Sequence, residues 1–186
     1  MKLILGVSGG IAAYKACELT SLARKRGHEV RVVMTANATR FVGPLTFEGL
    51  SGAPVFTDTF ADAMAHIAHA KWADVACLAP ASANLLAKLA TGLADDALST
   101  LVLALPARVP VIVGPAMNTE MWHHPVVVRN LRWIEDLGRY TVVDPVSKRL
   151  ACGDVGPGGL ADPSDLLAAC EAALSPLPTQ GSVTTP

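Results

Sequence analysis

Charge is scarce in this sequence. Only 17% of its 186 residues are Asp, Glu, Lys or Arg, against 51% that are hydrophobic, and the mean hydropathy is +0.39. Acids and bases nearly cancel, for a formal net charge of −1. There is no basic run, so the electrostatic footprint of a nucleic-acid binder is missing. No apolar run reaches the roughly 18–20 residues that cross a bilayer without Pro, Gly or charge, so no membrane segment is expected. The opening Met1–Gly6 is too short an apolar run for a signal peptide. An apolar chain of this kind predicts a sheet covered on both faces, or surface buried in an oligomer.

Disulfide, metal and dinucleotide signals are equally thin. Cys17, Cys77, Cys152 and Cys170 form no Cys-x-x-Cys pair and are expected as free thiols in a cytosolic protein. Three of them lie in apolar helix or strand patterns and read as packing; Cys152 stands apart in a glycine-rich loop. His66 and His69 can share a helix face, but no local carboxylate or thiol completes a metal site, and no metal is expected. One such His beside a cofactor pocket could act as a general base; the competing reading is a solvated histidine pair before a strand. The turn Ser8-Gly9-Gly10 lacks the Gly-x-Gly-x-x-Gly fingerprint. Met34 and Thr35 stand where an acidic residue would hold a ribose. The turn therefore suits a mononucleotide or a lone phosphate better than NAD, caught by neutral N–H and hydroxyl groups without lysine. Its alternative role is to let a helix pack closely on the sheet.

What the sequence does contain is alternation. Residues 2–7, 30–34, 74–79, 111–113 and 140–143 read as strands. Helices are expected over 11–26, near 38–42, after Pro44, and over 84–90, 94–105, 125–137 and 165–174, with Gly27, Gly92 and Gly138 as stops. Without internal repeats, this predicts an α/β fold, a single parallel sheet with helices on both faces, within residues 1–174. Pro80 and Pro115 should end their strands. Residues 147–163 read as a flexible, lid-like loop, with Ser164 capping the last helix. Residues 175–186 read as a disordered polar tail.

The densest polar cluster, Pro115 to His124, follows the fourth strand, where open α/β sheets place ligands. The plain alternative is a helix capped by Asn118 or Thr119, with Met121 and Trp122 in the core. Ser82 and Asn84 similarly either cap a helix or meet a phosphate. Ser99 reads as a mid-helix hydroxyl bonding back to a carbonyl.

Three segments together resemble one family. Pro80-Ala81-Ser82-Ala83-Asn84 is similar to its Pro-Ala-Ser-Ala-Asn-Thr motif. Pro115-Ala116-Met117-Asn118-Thr119-Glu120-Met121-Trp122 matches its Pro-x-Met-Asn-x-x-Met-Trp motif. His66-Ile67 through Lys71-Trp72-Ala73-Asp74 resembles the segment carrying its active histidine. The family is that of the homo-oligomeric flavin-containing cysteine decarboxylases. The resemblance implies a flavodoxin-like three-layer sandwich, FMN at subunit contacts, and a cytoplasmic trimer or dodecamer of trimers. The nearest branch serves coenzyme A biosynthesis. Its substrate is phosphopantothenoylcysteine, whose thiol is oxidised, whose carboxylate leaves as carbon dioxide, and whose enethiol is reduced again to phosphopantetheine. Alternatives are a peptidyl-cysteine decarboxylase that omits the reduction, a flavin prenyltransferase of similar fold, and a non-catalytic FMN-binding regulatory subunit. The ligase often fused to such enzymes is expected either as a separate protein or as a further part of a longer chain.

Position by position, the resemblance implies His66 as base, Asn118 as holder of the substrate carboxylate and Cys152 as proton donor. FMN contacts would fall on Gly9, Gly10, Ile11, Thr35, Phe41, Ser82, Ala83, Asn84, Leu85, Ser99 and Ala116. Met117, Met121, Ala151 and Gly153 would join Asn118 at the substrate. Two departures stand out: Leu85 replaces the motif's threonine, and Gly159 stands where some members carry arginine after Gly-x-Gly.

Overall fold

The computed structural model describes residues 1–149, 153 and 155–175. In chain order the elements are β1 (Lys2–Val7), α1 (Ala13–Lys25), β2 (Glu29–Met34), a 3-10 turn (Ala38–Arg40), α2 (Pro44–Ser51), α3 (Ala65–Trp72), β3 (Val75–Ala81), α4 (Ala83–Thr91) and α5 (Ala97–Ala104). There follow β4 (Val111–Pro115), α6 (Thr119–His123), α7 (Pro125–Asp136), β5 (Tyr140–Val142), β6 (Val146–Arg149), β7 (Val155–Gly159) and α8 (Pro163–Ala172). Five strands form a sheet in the order β2-β1-β3-β4-β5, all parallel. This is the flavodoxin-like order, as expected.

Side chains alternate across the sheet. Leu3, Leu5 and Val7 pack with Leu19 of α1, Phe47 of α2 and Leu166 of α8. Ile4, between them, packs with Leu85 and Leu86 of α4, Leu98 of α5 and Leu131 of α7. Every residue of β3 is buried, which is why it reads as an unbroken apolar run. Leu98 lies so close over β1 that a Cβ on Gly6 would sit 2.6 Å from its Cδ1. Truncating Leu98 to Ala should cost about 2–5 kcal/mol. Cys77 and Cys170 are fully buried free thiols that pack between β3 and α8.

Gly27 and Gly92 follow α1 and α4 at φ +79° and +72°, the left-handed stops the sequence predicts. Four expectations need correction. β3 runs through Pro80 to Ala81, because a register shift between Leu78 and Ala81 accommodates the proline against β4. α1 starts at Ala13, after a turn in which Ala13 N–H donates to Gly10 O. α8 starts at Pro163, whose fixed φ suits the first helical position, so Ser164 is no cap. Residues 147–163 are not simply a flexible loop: β6 and β7 pair antiparallel, making a second small sheet. Of the predicted tail, Ser175 is exposed and residues 176–186 lie outside the described residues.

Candidate active site

The turns after β1, β3 and β4 are tied to one another. Ser8, 2% exposed, donates through Oγ to Pro80 O at 2.7 Å and accepts from Ser82 N–H at 2.8 Å. Ala116 N–H donates to Ala81 O at 3.1 Å, and Met117 N–H donates to Gly158 O at 2.9 Å. Thr119 Oγ1 donates to Pro157 O at 2.9 Å. β7 comes this near only because residue 158 is glycine. Its φ is +138°, and a Cβ there would collide with Met117 O.

These tied turns and the β6–β7 pair enclose a cavity of about 430 Å³, within the usual range for small-molecule sites. Among the predicted residues, Gly9, Gly10, Ile11, Ser82, Ala83, Ala116, Met117, Asn118 and Met121 line it. α1 begins there without a side-chain cap; Ala13 N–H is given to Gly10 O and Lys15 N–H to Ala12 O, so it is the Gly9-Gly10-Ile11 turn, with the positive end of α1 behind it, that can turn N–H groups toward an anion. A Cβ at Gly10 would meet nothing within 4 Å; the glycine keeps the cavity open rather than relieving a clash. N–H groups of this turn beside apolar walls of Ile11, Ala116, Met117 and Met121 fit a phosphorylated aromatic ring system such as a flavin.

Asn118 joins the plain and the functional readings. It caps α6, accepting at Oδ1 from Glu120 N–H at 2.8 Å and Met121 N–H at 3.4 Å, and it lines the cavity. With Oδ1 held by the helix, a flipped amide would set its NH₂ against N–H donors. Nδ2 is therefore the donor end of the side chain, the chemistry a carboxylate holder needs.

Other predicted residues lie elsewhere. Phe41 lines a neighbouring groove with Gly9, Asn37 and Arg40. Thr35 accepts at Oγ1 from Ala38 N–H at 3.2 Å, closing the 3-10 turn. Asn84 is exposed, and Leu85 is in the core, because the third position of α4 faces the sheet. Ser99 is buried in a capping box with Asp96 at the start of α5, not mid-helix. Burial pushes the Asp96 carboxyl up, but Lys88 and Ser99 hold it below its usual value. Gly153 is exposed and off the cavity; Ala151 and Cys152 lie outside the described residues.

His66 is also off the cavity. Its Nδ1 is buried, with no hydrogen-bond partner among the described residues. The next turn of α3 is firmly held. His69 stacks on Phe56 at 5.2 Å and meets Arg31 at 3.4 Å, while Arg31 lies 4.2 Å over Trp72. Burial first, then Arg31, lowers the His69 pKa, against Asp62. The solvated histidine pair is thus corrected. Ahead of His66, Phe60 and Met64 are 95% and 63% exposed.

Sequence reasoning missed the cations. Lys15, Lys148 and Arg149 line the cavity, as does Tyr14, against the expectation of a site without lysine. Lys15 lies in the first turn of α1, directly after the Gly9-Gly10-Ile11 turn; its nearness to that turn was readable. Lys148 and Arg149 arrive with the hairpin, which was not.

The family profile described as Flavoprotein matches residues 1–175. This chain belongs to that flavoprotein family. The flavoprotein is 46% identical over 183 residues to the "Coenzyme A biosynthesis bifunctional protein CoaBC" of Vibrio vulnificus, covering 96% of this chain but 45% of that protein. It thus spans about half the length of such curated relatives. It is 47% identical over 165 residues to a "Probable phosphopantothenoylcysteine decarboxylase" of Streptococcus mutans, covering 87% of this chain and 92% of the relative. Among solved structures it is similar to a PPC decarboxylase cysteine-to-serine mutant complexed with pantothenoylaminoethenethiol, with a TM-score of 0.83, 35% identity and coverage of 92% and 96% of the two chains. It is likewise similar to the FMN-dependent cysteine decarboxylase SpaF, with a TM-score of 0.80, 35% identity and coverage of 94% and 98%. Among the described residues, no helix is long and apolar enough to cross a membrane.

Proposed function

We propose that this flavoprotein decarboxylates 4′-phosphopantothenoylcysteine to 4′-phosphopantetheine with FMN as cofactor, as a cytoplasmic trimer or dodecamer of trimers, through a domain spanning residues 1–174. One observation carries the reading. The turn holding Asn118, Met117 and Met121 lines the same cavity as the uncapped start of α1. A carboxylate holder and a phosphate seat thereby share one apolar space. The names of the relatives support the substrate and the cofactor.

Bound FMN would supply the two-electron oxidation of the substrate's thiol-bearing carbon and return the electrons at the end. Gly9, Gly10, Ile11 and Ser82 would hold it. Asn118 donates Nδ2–H to the substrate carboxylate. Being neutral, it orients the group without adding charge, and the apolar walls favour its departure as carbon dioxide. His66 accepts the proton released on oxidation. It does so from a second copy of the chain, which accounts for its place off the cavity and its unpartnered Nδ1. Cys152 returns a proton to the enethiol; the two strands the chain runs through before and after it, β6 and β7, each bring residues to the cavity, Arg149 and Gly158.

The test is anaerobic incubation of the purified protein with phosphopantothenoylcysteine, following carbon dioxide and thiol product together. A yellow protein that forms phosphopantetheine supports the reading. Carbon dioxide with an unreduced enethiol would transfer it to the peptidyl-cysteine class, and no carbon dioxide would overturn it.

A further inference from the structure

Three cations line the cavity, two of them close together, and one carboxylate answers them. Lys15, Lys148 and Arg149 all line it. Among the described residues, Asp162, 3.3 Å from Lys15, is the carboxylate paired with any of the three. Three positive charges less one negative leave two, which matches a phosphate monoester dianion. Lys148 is placed there by the backbone of the facing strand. Its aliphatic chain lies across Gly159, where an added Cβ would meet Cε within contact distance and lie 3.0 Å from Cδ and Cγ. The bare glycine is therefore the channel along which this lysine reaches the cavity.

The Lys15 ammonium lies close enough to Lys148 to disfavour the charge on Lys148. Burial, and then the Lys15 charge, hold Lys148 below the usual lysine value, with Asp162 opposing. A bound anion would relieve that repulsion in a partly dry site.

We propose that Lys148, laid across Gly159 and beside Lys15, is the residue that reads the phosphate monoester of the substrate. The inference rests on the decarboxylase reading above. The carboxylate is already assigned to Asn118 and the flavin phosphate to the start of α1, so the substrate phosphate is the anion left for these lysines.

The experiment compares the wild-type holoprotein with Lys148→Met, Lys148→Arg and Gly159→Ala. Each is assayed for kcat/KM on phosphopantothenoylcysteine and on pantothenoylcysteine. Binding of phosphopantetheine and pantetheine is measured by calorimetry on the same holoproteins, and binding of FMN and riboflavin on the apoproteins. Lys148→Met should reduce the preference for the phosphorylated compounds roughly 10- to 100-fold, the worth of a charge-assisted hydrogen bond, chiefly through KM. Lys148→Arg should restore most of it. Gly159→Ala, which obstructs the lysine without removing it, should reproduce part of the loss. An unchanged preference overturns the proposal, and so does an equal fall on both substrates. A loss appearing instead as weaker discrimination of FMN from riboflavin also overturns it, by assigning the lysine to the cofactor. If wild type turns over neither substrate, the decarboxylase reading has failed, and the calorimetric preference alone decides the phosphate site.

Discussion

Around Asn118, each turn is tied to the next by hydrogen bonds from Ser8, Ala116, Met117 and Thr119. Around His66, a ring nitrogen is buried with no partner among the described residues, and the residues before it expose Phe60 and Met64. One half of the proposed site is thus completed by the chain's own backbone. The other half packs, through His69, on Phe56 and Arg31, and its His66 is not among the residues that line the cavity. A fold can preorganise a reactive group within one chain and also position one for another copy.

The largest effect should come from Asn118→Asp. Aspartate caps a helix as well as asparagine does, so α6 and the bound flavin should survive. A carboxylate facing the substrate's carboxylate removes the donor and repels the ligand. Turnover should fall by on the order of 10²–10³ or more, with the visible spectrum unchanged. Loss of flavin instead would show that Asn118 serves the cofactor.

Next in size is Ser8→Ala, aimed at the ties themselves. It removes one buried hydroxyl that joins two turns. It should cost about 1–3 kcal/mol, read as a lower Tm by roughly 2–4 °C per kcal/mol for a chain of this size. FMN affinity should fall with it, because the phosphate-receiving turn loosens. Flavin affinity unchanged beside a lower Tm would separate the latch from the site.

The smallest effect lies away from both halves. Glu171 of α8 pairs with His28 and Arg26 just after α1, each at 2.8 Å. The His28 hydrogen bond first, and Arg26 next, hold its carboxyl below the usual value, against burial. A depressed folded-state pKa stabilises above the unfolded value, near 4.3, and that stability is lost as pH falls through the folded value. Solvent screening keeps it under about 1 kcal/mol. Glu171→Gln should therefore lower the Tm slightly at pH 7 and flatten its dependence below pH 5, as acid titrations of the Tm would show. Turnover at pH 7 should not move.

The fold was largely legible in the sequence, because buried parallel strands leave apolar runs and helices end on glycine. β6 and β7 were not. Val146-Ser-Lys-Arg149 and Val155-Gly-Pro-Gly-Gly159 have little strand propensity of their own; β7 is held by the Met117 and Thr119 bonds, which are tertiary, and β6 by pairing with β7. For the site, motif position located Asn118, Gly10 and Ser82 at the cavity. It misjudged Leu85, since neighbours along a helix point in different directions and position 85 faces the sheet. Lys15 and Lys148 escaped notice because an isolated lysine ordinarily reads as solvated surface. Only packing shows that one, in α1's first turn, lines the cavity and the other crosses a glycine.

The measurement that bears most directly on a site shared between copies is complementation. Asn118→Asp and His66→Gln chains are each prepared as holoprotein, then co-expressed and assayed for carbon dioxide release from phosphopantothenoylcysteine. Each variant alone should be inactive. Mixed oligomers should regain activity, because some cavities then pair an intact Asn118 from one chain with an intact His66 from another. Mixed oligomers that form, bind flavin and stay inactive would contradict the shared site and place both residues within a single chain's chemistry.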